Sequence, residues 1–357
     1  MSLTATALPV RGPRRVLGAS MGGARNIAVS AIAVFIALGA LVPVVRWAVI
    51  SARWTGTATD CRAPGVGACW AFIAHKLPFI AFGLYPAVER WRPALATVAL
   101  LALVIATMLP IFWRRWLIGV WIVAIVLVLW VMGGGLFLAR VPTQQWGGLP
   151  VTLMLTIIGL SVGLPIGILL ALGRRAELPL ARLTATTIVE VVRGVPLVAV
   201  LYLSVLVVPL ALATGVEIDK LLLAQAGVAV FAGAYLAEAV RGGLQMVPPR
   251  RMDAARALGL TWWQAMRLVV LPEALRIGIP SFISIAVGFF QDTSLIVIIG
   301  LFDLLNTARL AAQDPAWLGF HTEAYVFVGV VYFLGSALVS RYGLWLERRM
   351  RTSMRRP

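Results

Sequence analysis

The chain has 357 residues, of which 61% are apolar and 13% are charged, and its formal net charge is +17. A soluble protein carries about 25% charged residues, so the composition excludes a water-facing globule and indicates an integral membrane protein. The basic residues stand in short clusters between apolar runs, as they do on the cytoplasmic side of membrane proteins. This distribution argues against a nucleic-acid-binding protein, which would carry its basic residues on one face.

Two kinds of site have no support in the sequence. Neither Lys76 nor Lys220 follows a glycine, so there is no phosphate-binding GxxxxGK[ST] loop for ATP hydrolysis. The histidines, His75 and His321, are far apart and belong to no metal-ligand spacing. We therefore expect neither a metal nor a cofactor in this chain.

Eight apolar runs reach the length of about 20 residues that a membrane-spanning helix needs. They are Ile27–Ile50, Pro93–Phe112, Trp116–Leu138, Leu149–Leu172, Leu183–Leu210, Leu221–Val240, Gly278–Gly300 and Ala324–Ser340. The predicted fold is an all-α integral membrane protein of about eight transmembrane helices. The first and fifth runs contain charged residues, so their boundaries are the least defined.

Basic residues predict the orientation of these spans. With the N-terminus inside, the inner segments hold 21 basic residues and the outer segments hold eight. Because basic residues concentrate on the cytoplasmic side, we expect both termini in the cytoplasm. The predicted regions are an N-terminal tail 1–26, an accessory transmembrane region 27–140, a second transmembrane region 146–345 and a basic tail 346–357.

The accessory region contains a long outer loop, 51–92, with two cysteines, Cys61 and Cys69. If this loop faces an oxidising compartment, the cysteines can form a disulfide. Two free thiols in a partly packed loop are the other interpretation. The sequence does not decide between them.

The second region differs from the first because its spans contain glycines and polar residues. Gly159, Gly163 and Gly167 recur at four-residue spacing, which lets two membrane helices approach closely. The polar residues within or at the ends of apolar runs are Glu190, Arg193, Glu238, Arg241, Gln291, Asp292, Thr293 and Ser294.

Charged residues inside a span are costly, at about 2.5–3.5 kcal/mol each when unpaired at the bilayer centre. They therefore line or gate a pathway, or they pair between helices and only fix the bundle. In the second case Glu190 or Glu238 would pair with Arg193. Both interpretations stay open at the level of sequence.

The inner loop 241–277 is amphipathic and contains helix-boundary signals. Met252–Leu258 read as a short helix, and Gly259 suits a left-handed C-terminal cap. Thr261 begins a second helix with capping-box spacing, and Pro272 is predicted to limit it. Two short helices joined at a glycine form an elbow that suits docking to a partner, whereas a solvated loop needs no such order.

This loop resembles the EAA loop of ABC-importer permeases, which reads EAA-x3-G-x9-I-x-LP. The residues that carry the resemblance are Asp253, Ala254, Ala255, Gly259, Leu271 and Pro272. The stretches EVVRGVPL at 190–197, AYLAEAVRG at 234–242 and DTSL at 292–295 also resemble motifs of polar amino-acid permeases. The extra N-terminal spans resemble the M-type permease subunit of the general L-amino-acid ABC transporter.

The resemblance implies a type I ABC-importer permease with a five-helix core after three accessory helices, in a bacterial inner membrane. It implies L-amino acids as the substrate and no catalysis in this chain. The implied partners are a second permease, an ATPase dimer that holds ATP and magnesium, and a periplasmic amino-acid-binding protein. The EAA residues would then couple to the ATPase, and the buried polar residues would line or gate the pathway.

Three positions depart from the family pattern: Asp253 replaces glutamate, Val195 replaces threonine and Gln291 replaces lysine. The last change removes a charge from the predicted pathway. The alternatives are an ABC permease for another small solute, a stand-alone secondary transporter, and a membrane enzyme using Asp292 or His321. The secondary transporter leaves the elbow unexplained, and the enzyme lacks an acid/base constellation.

Overall fold

The structure is a computed structural model that describes residues 24–112, 114, 116–212 and 217–354. Within these residues the chain is mostly helical. Seven described helices are long and apolar enough to cross a membrane, and a bent pair makes eight if it counts as one span. The predicted all-α membrane fold is confirmed. Most of the predicted N-terminal tail and the end of the basic tail lie outside the described residues.

The first of two compact units ends at Ala74. Its helix α1, Ala24–Val45, continues through a π-helical turn at Arg46–Ile50. Its apolar side chains are exposed within the unit, as suits a helix surrounded by lipid. A short helix α2, Ala58–Cys61, and the first residues of α3, Trp70–Phe82, complete the unit.

The second unit begins within α3 and continues with two accessory helices, α4 (Trp91–Met108) and α5 (Trp116–Gly133). The second membrane span occupies Ala87–Met108 and so lies a few residues earlier than predicted. The third span ends five residues earlier than predicted. Gly134 follows α5 with a φ of +74°, a left-handed conformation that favours glycine and ends a helix.

The core of the second unit consists of five spans joined by short elements. The spans contain α6 (Leu149–Gly173), the series α7 (Pro179–Gly194), α8 (Leu197–Tyr202) and α9 (Val208–Leu210), then α10 (Lys220–Met246), α14 (Ile279–Asp292) and α16 (His321–Met354). The connecting elements are α11 (Pro249–Ala257), α12 (Trp262–Ala265), α13 (Leu271–Ile277), α15 (Leu304–Ala311) and two parallel strands, β1 (Gly147–Gly148) and β2 (Phe302–Asp303).

Helices α6 and α10 pack closely through the predicted row of glycines. A Cβ atom added to Gly159 would lie 2.7 Å from Val228 Cγ1, and one added to Gly163 would lie 2.9 Å from Ala232 Cβ. These distances leave no room for a side chain, so the two backbones approach directly. The row thus holds α6 against α10, which carries the charged residues described below.

The fifth predicted span, Leu183–Leu210, is not one straight helix. It is broken after Gly194, and the helices on either side of the break meet at an angle of 108°. The apolar run alone predicted continuity, because hydropathy does not register the effect of Pro196 on the residue before it.

The seventh span occupies Ile279–Ile299, within one residue of the prediction at each end, and consists of α14 followed by a 3-10 turn at Thr293–Ile299. The last span differs from its predicted boundaries. The eighth was predicted at Ala324–Ser340, but α16 extends beyond both ends of that run. It reaches Met354, so the predicted tail 346–357 is largely helical where it is described. Arginine and leucine are good helix formers, and the helix therefore continues after its apolar stretch ends.

Residues 249–277, here called the elbow, contain the two predicted helices and the predicted turn between them. The predicted end at Pro272 is wrong, because α12 continues through a π-helical turn, Met266–Val270, into α13. Pro272 lies in the first turn of α13, where the missing N–H of a proline is tolerated. The π turn before it already interrupts the regular backbone hydrogen bonds of the helix. The predicted loop 241–277 also begins later, since α10 runs to Met246.

Candidate functional site

The candidate site begins at the break between α7 and α8. Proline disfavours a helical conformation in the residue before it, and Val195 is extended, with φ −101° and ψ 136°. Pro196 then stands at the N-cap position of α8. The break leaves Arg193, near the end of α7, at the edge of the cavities described below.

Glu238 of α10 is the centre of an ion-pair network. Its Oε2 atom accepts a hydrogen bond from Arg174 Nη1 at 3.0 Å and lies 3.5 Å from Arg193 Nη1. Arg241, one turn further along α10, donates from Nε at 3.1 Å. Arg174 also donates from Nη2 to Glu190 Oε1 at 2.9 Å. The network therefore ties the end of α6 to α7 and α10.

The predicted pairing is only partly correct. Arg193 contacts Glu238, as one alternative proposed, but the described residues contain no ion pair between Glu190 and Arg193. Glu190 instead pairs with Arg174, a residue that sequence analysis missed. Arg174 immediately follows α6 and looked like an ordinary inner-loop charge. Packing of α6 against α10 brings Arg174 close to the two glutamates. That packing cannot be predicted from a local sequence pattern.

Two cavities lie beside this network. The first, of about 780 Å³, is bounded by Arg193, Tyr235, Glu238 and Ser284. The second, of about 660 Å³, shares Arg193, Tyr235 and Ser284 with the first and extends to Asp292. The shared lining residues place the two cavities side by side, and together they extend from the network to Asp292.

Arg193 presents a cation to this space. Its guanidinium lies 5.5 Å from the centroid of the Tyr235 ring, within the range of a cation–π contact. Its Nε atom is buried and has no hydrogen-bond partner among the described residues. A buried donor without a partner is costly, so this N–H is available to an acceptor that enters the cavity.

The four residues predicted around the DTSL motif have different environments. Asp292 lines the second cavity, whereas the lining of the two cavities does not include the other three. Thr293 is buried, and its Oγ1 atom lies 3.2 Å from Tyr332 Oη. Gln291 donates to a serine of α16, and the carbonyl of Ser294 accepts from an asparagine of α15. These three residues therefore fix neighbouring helices.

The turn of the elbow is a Schellman cap. The N–H of Leu260 donates to the Ala255 carbonyl at 3.2 Å, and the N–H of Gly259 donates to the Arg256 carbonyl at 2.9 Å. Gly259 has a φ of +81°, which such a cap requires. Thr261 then begins α12 with a capping box. The turn is thus built by the residues whose pattern predicted it.

One face of the elbow is buried against the spans. Met266, Val270 and Ala274 recur at four-residue spacing and pack in one cluster with Val189 of α7 and residues of α10. A Cβ atom added to Gly243 of α10 would overlap the carbonyl of Ala274. The elbow is therefore fixed to α7 and α10, the helices that carry most of the ion-pair network.

The residues of the EAA pattern divide between this buried face and an exposed one. Ala255 is buried, and Leu271 and Pro272 are half-buried at the start of α13. Asp253, Ala254 and Gly259 are exposed, as are two large apolar side chains nearby, Leu258 at 83% and Trp263 at 69%. The exposed face therefore combines one carboxylate with apolar area.

Comparison with known proteins identifies the family. Residues 163–352 match the family described as binding-protein-dependent transport system inner membrane component. The chain belongs to this family. The matched residues of this inner membrane component include the ion-pair network, both cavities and the elbow, and the three accessory spans precede them.

Two relatives extend the similarity beyond the core. The inner membrane amino-acid ABC transporter permease protein YhdY of Escherichia coli K12 is 44% identical over 318 residues, 87% of this chain and 85% of that protein. The glutamate/glutamine/aspartate/asparagine transport system permease protein BztC of Rhodobacter capsulatus is 33% identical over 368 residues, 86% of this chain and 83% of that protein. Both alignments are too long for the core alone, so they include accessory helices.

A solved structure shares the core fold. It is a crystal structure of an amino acid ABC transporter with histidines, and it is 28% identical to this inner membrane component with a TM-score of 0.50. The similarity covers 57% of this chain and 92% of that chain. The inner membrane component therefore has the core of that transporter with additional N-terminal spans.

The first unit of this inner membrane component contains a disulfide between Cys61 and Cys69, whose Cα atoms are 5.6 Å apart. In the same loop the N–H and Oγ1 of Thr57 donate to Asp60 Oδ2 at 2.7 and 2.8 Å. These hydrogen bonds, first that of the N–H, hold the pKa of Asp60 below its usual value. The disulfide and the capped turn give the loop a defined structure.

The second unit has an ion pair outside its membrane spans. Lys76 Nζ lies 2.6 Å from Asp314 Oδ2, and this hydrogen bond, with one from the N–H of Ala316, lowers the pKa of Asp314. The pair connects α3 to the segment after α15. No group of three or more histidine, cysteine or acidic side chains that could hold a metal ion occurs in the described part of the chain.

Proposed function

We propose that this chain is the permease subunit of an ATP-binding-cassette importer that moves L-amino acids across the inner membrane. The single observation that carries the proposal is the elbow, which is fixed by its buried face to the helices that hold the ion-pair network beside the cavities. The names of YhdY and BztC, both amino-acid permeases, support the substrate class. ATP would be hydrolysed on a separate subunit, because the chain lacks a phosphate-binding loop.

The proposed assembly contains four kinds of subunit. A second permease would supply the other half of the path, and two copies of a cytosolic ATPase would bind ATP and magnesium. A periplasmic amino-acid-binding protein would deliver the substrate, in keeping with a family described as binding-protein-dependent. This chain would contribute half of the path and one elbow.

The proposed orientation has both termini and the elbow in the cytoplasm. Its first support is the excess of basic residues in the inner segments. Its second support is the disulfide between Cys61 and Cys69 in the loop after the first span. Disulfides persist in the periplasm and are rare in the cytoplasm, so the disulfide supports an outer position for that loop.

The exposed face of the elbow would dock on the ATPase. Leu258 and Trp263 supply apolar area of the kind that forms the centre of protein interfaces. Asp253 supplies a carboxylate for a basic residue of the partner. Because the opposite face of the elbow is packed against α7 and α10, a movement of the ATPase would be passed to the network without a flexible linker.

The cavities would hold the amino acid as it passes. A zwitterionic amino acid carries a carboxylate and an ammonium group, and the space contains Arg193 and Asp292. The free Nε–H of Arg193 suits the carboxylate, and Asp292 suits the ammonium. Glu238 borders the same space, so the network that it centres would gate the end of the path nearest the elbow.

Reconstitution tests this proposal. The chain is purified with the subunits that accompany it, placed in proteoliposomes, and assayed for uptake of a panel of radiolabelled amino acids. We expect uptake that requires ATP inside and amino-acid-binding protein outside. Uptake driven by a proton or sodium gradient without ATP would contradict the proposal and indicate a secondary transporter, and uptake of other solutes alone would contradict the amino-acid substrate.

A further inference from the structure

Asp303, the last residue of β2, is a buried acidic residue outside the ion-pair network and outside both cavities. Its exposed fraction is 0%. Burying a carboxylate is costly unless hydrogen bonds satisfy its oxygen atoms, so its partners show what it fixes in place. It caps α15, since Oδ2 accepts from the N–H of Leu305 and Oδ1 accepts from the N–H of Asn306, each at 3.1 Å.

The Oδ2 atom of Asp303 also begins a chain of hydrogen bonds that ends at Thr293. It accepts from Tyr332 Oη of α16 at 2.9 Å, and Tyr332 Oη lies 3.2 Å from Thr293 Oγ1. Because the proton of Tyr332 goes to the carboxylate, its oxygen is available to accept from the Thr293 hydroxyl. The centroid of the tyrosine ring lies 4.9 Å from that of Phe290, a contact that fixes the ring.

The Oδ1 atom begins a second chain, which ends at Ser294. It accepts from Asn306 Nδ2, and the same amide nitrogen donates to the carbonyl of Ser294 at 3.3 Å. Asn306 is buried. The two residues that directly follow Asp292 are thus each held by a side chain that also contacts Asp303. We call Asp303 and these two side chains, Tyr332 and Asn306, the anchor.

Asp292 is the residue whose direction the anchor sets. It ends α14, and the 3-10 turn that the anchor holds begins at the next residue. Asp292 lines the second cavity, whereas the anchor residues line neither of the two cavities. The anchor can therefore affect a molecule in the second cavity only through Asp292.

We propose that Asp303, acting through Tyr332 and Asn306, is a positioning residue that holds Asp292 toward the second cavity, where its carboxylate meets the amino group of the substrate. The contact with an amino group rests on the proposed function, whereas the positioning of Asp292 does not. The anchor would set the part of the affinity that comes from the amino group.

The reactivity of a thiol at position 292 tests the positioning without any substrate. Asp292→Cys is introduced alone and together with Tyr332→Phe, and the purified complex is treated with a cationic methanethiosulfonate. The two native cysteines are joined in a disulfide and do not compete. Tyr332→Phe keeps the ring but removes the hydroxyl that joins Asp303 to the turn. Loss of one hydrogen bond shifts a conformational equilibrium about two- to tenfold, so the thiol should react more slowly by that factor.

A second variant and two controls keep this test specific. Asp303→Asn preserves the size of the side chain and a good cap residue, and it should slow the reaction in the same way. Tyr325→Phe removes the same atom from α16 at a position that is 47% exposed, and it should leave the rate unchanged. Ser284→Cys places a thiol on the lining of both cavities, and its rate should not respond to Tyr332→Phe.

Two results would overturn the inference. The first is an equal rate for Asp292→Cys with and without Tyr332→Phe and Asp303→Asn. The second is equal slowing of the thiols introduced at positions 292 and 284, since the anchor would then support the whole cavity and would not position one side chain.

Calorimetric titration of the complex tests the contact with the amino group. The ligands are L-glutamine and glutaramic acid, which is the same molecule without its amino group. Tyr332→Phe should weaken glutamine binding about two- to tenfold and leave the affinity for glutaramic acid unchanged. Equal weakening of both ligands would contradict the contact between Asp292 and the amino group. A wild type that binds neither ligand would contradict the amino-acid site of the proposed function, while a slower thiol reaction would still support the anchor.

Discussion

Replacing Glu238 with glutamine should uncouple ATP turnover from transport while leaving the chain folded. Glutamine keeps the shape of the side chain but removes its charge. Arg174, Arg193 and Arg241, whose nitrogen atoms lie 3.0, 3.5 and 3.1 Å from the carboxylate, would then stand together without their central counter-charge. The ends of α6, α7 and α10 would lose the contact that joins them.

The burial of the network sets the size of this effect. Loss of one partner of a buried ion pair costs about 3–5 kcal/mol, whereas an exposed pair contributes about 0–1 kcal/mol. The side chains of Arg174 and Glu238 are 13% and 27% exposed, so the free-energy cost of losing a partner in this network lies between these two values. We expect a cost of about 2–3 kcal/mol, which reduces the population in which the ends of α6, α7 and α10 are joined about 30- to 150-fold.

The assay is ATPase activity with and without amino acid, measured beside uptake in the same proteoliposomes. Because the elbow is packed on α7 and α10, loosening the network should free it to move without substrate. Basal ATPase activity should rise about tenfold or more, and uptake per ATP should fall. Glu177→Gln, an exposed carboxylate in the connection between α6 and α7, should leave both unchanged. Basal ATPase activity and uptake equal to those of the wild type in Glu238→Gln, at normal abundance, would show that the network does not couple ATP turnover to transport.

Three other predictions concern packing, pH and topology. Gly163→Val should lower the thermal unfolding temperature in detergent, because its Cβ would lie 2.9 Å from Ala232 Cβ; an unchanged temperature would contradict direct backbone packing. The folded-state pKa of Asp314 is lowered, so its pair with Lys76 stabilises the fold above about pH 4 and is lost as the pH falls through the folded-state value. The protection factors of the backbone amides after α15, which correct for the slower intrinsic exchange in acid, should therefore fall in acid, and Lys76→Met should lower them already at neutral pH. A membrane-impermeant maleimide should label the two cysteines of the first unit only after mild reduction, and labelling only after permeabilisation of the inner membrane would reverse the topology.

Features that depend on a few neighbouring residues could be predicted from the sequence. The turn at Gly259 needs a left-handed residue after a short helix, and the capping box at Thr261 needs a partner three residues later. Both signals are local, so the elbow was predicted with its helices and its turn. The spans were predicted because their length and apolar character are also local properties.

Features that depend on packing between helices could not be predicted. Arg174 contacts Glu190 and Glu238 only because glycines let α6 pack closely against α10. The glycines can be read from the sequence, but the helix that packs against them cannot. Pro196 is a local signal for the sharp break before it. The break was not predicted, because the run of apolar residues on both sides indicated one continuous span. Pro272 was expected to end a helix, but the helix continues through a π turn before it. That turn depends on how the elbow packs, so the sequence does not indicate it.

Transmission of the state of the ATPase to the membrane spans through the elbow can be measured as the ratio of amino-acid uptake to ATP hydrolysis in Gly259 variants. An added Cβ at Gly259 meets nothing within 4 Å, so only the left-handed backbone is at issue. That conformation costs a side chain about 1–2 kcal/mol, and asparagine tolerates it better than valine. We expect Gly259→Val to reach the membrane normally but to transport little per ATP, or to fail to hold its ATPase, while Gly259→Asn remains coupled. Normal abundance, ATPase binding and uptake per ATP in Gly259→Val would contradict coupling through the elbow.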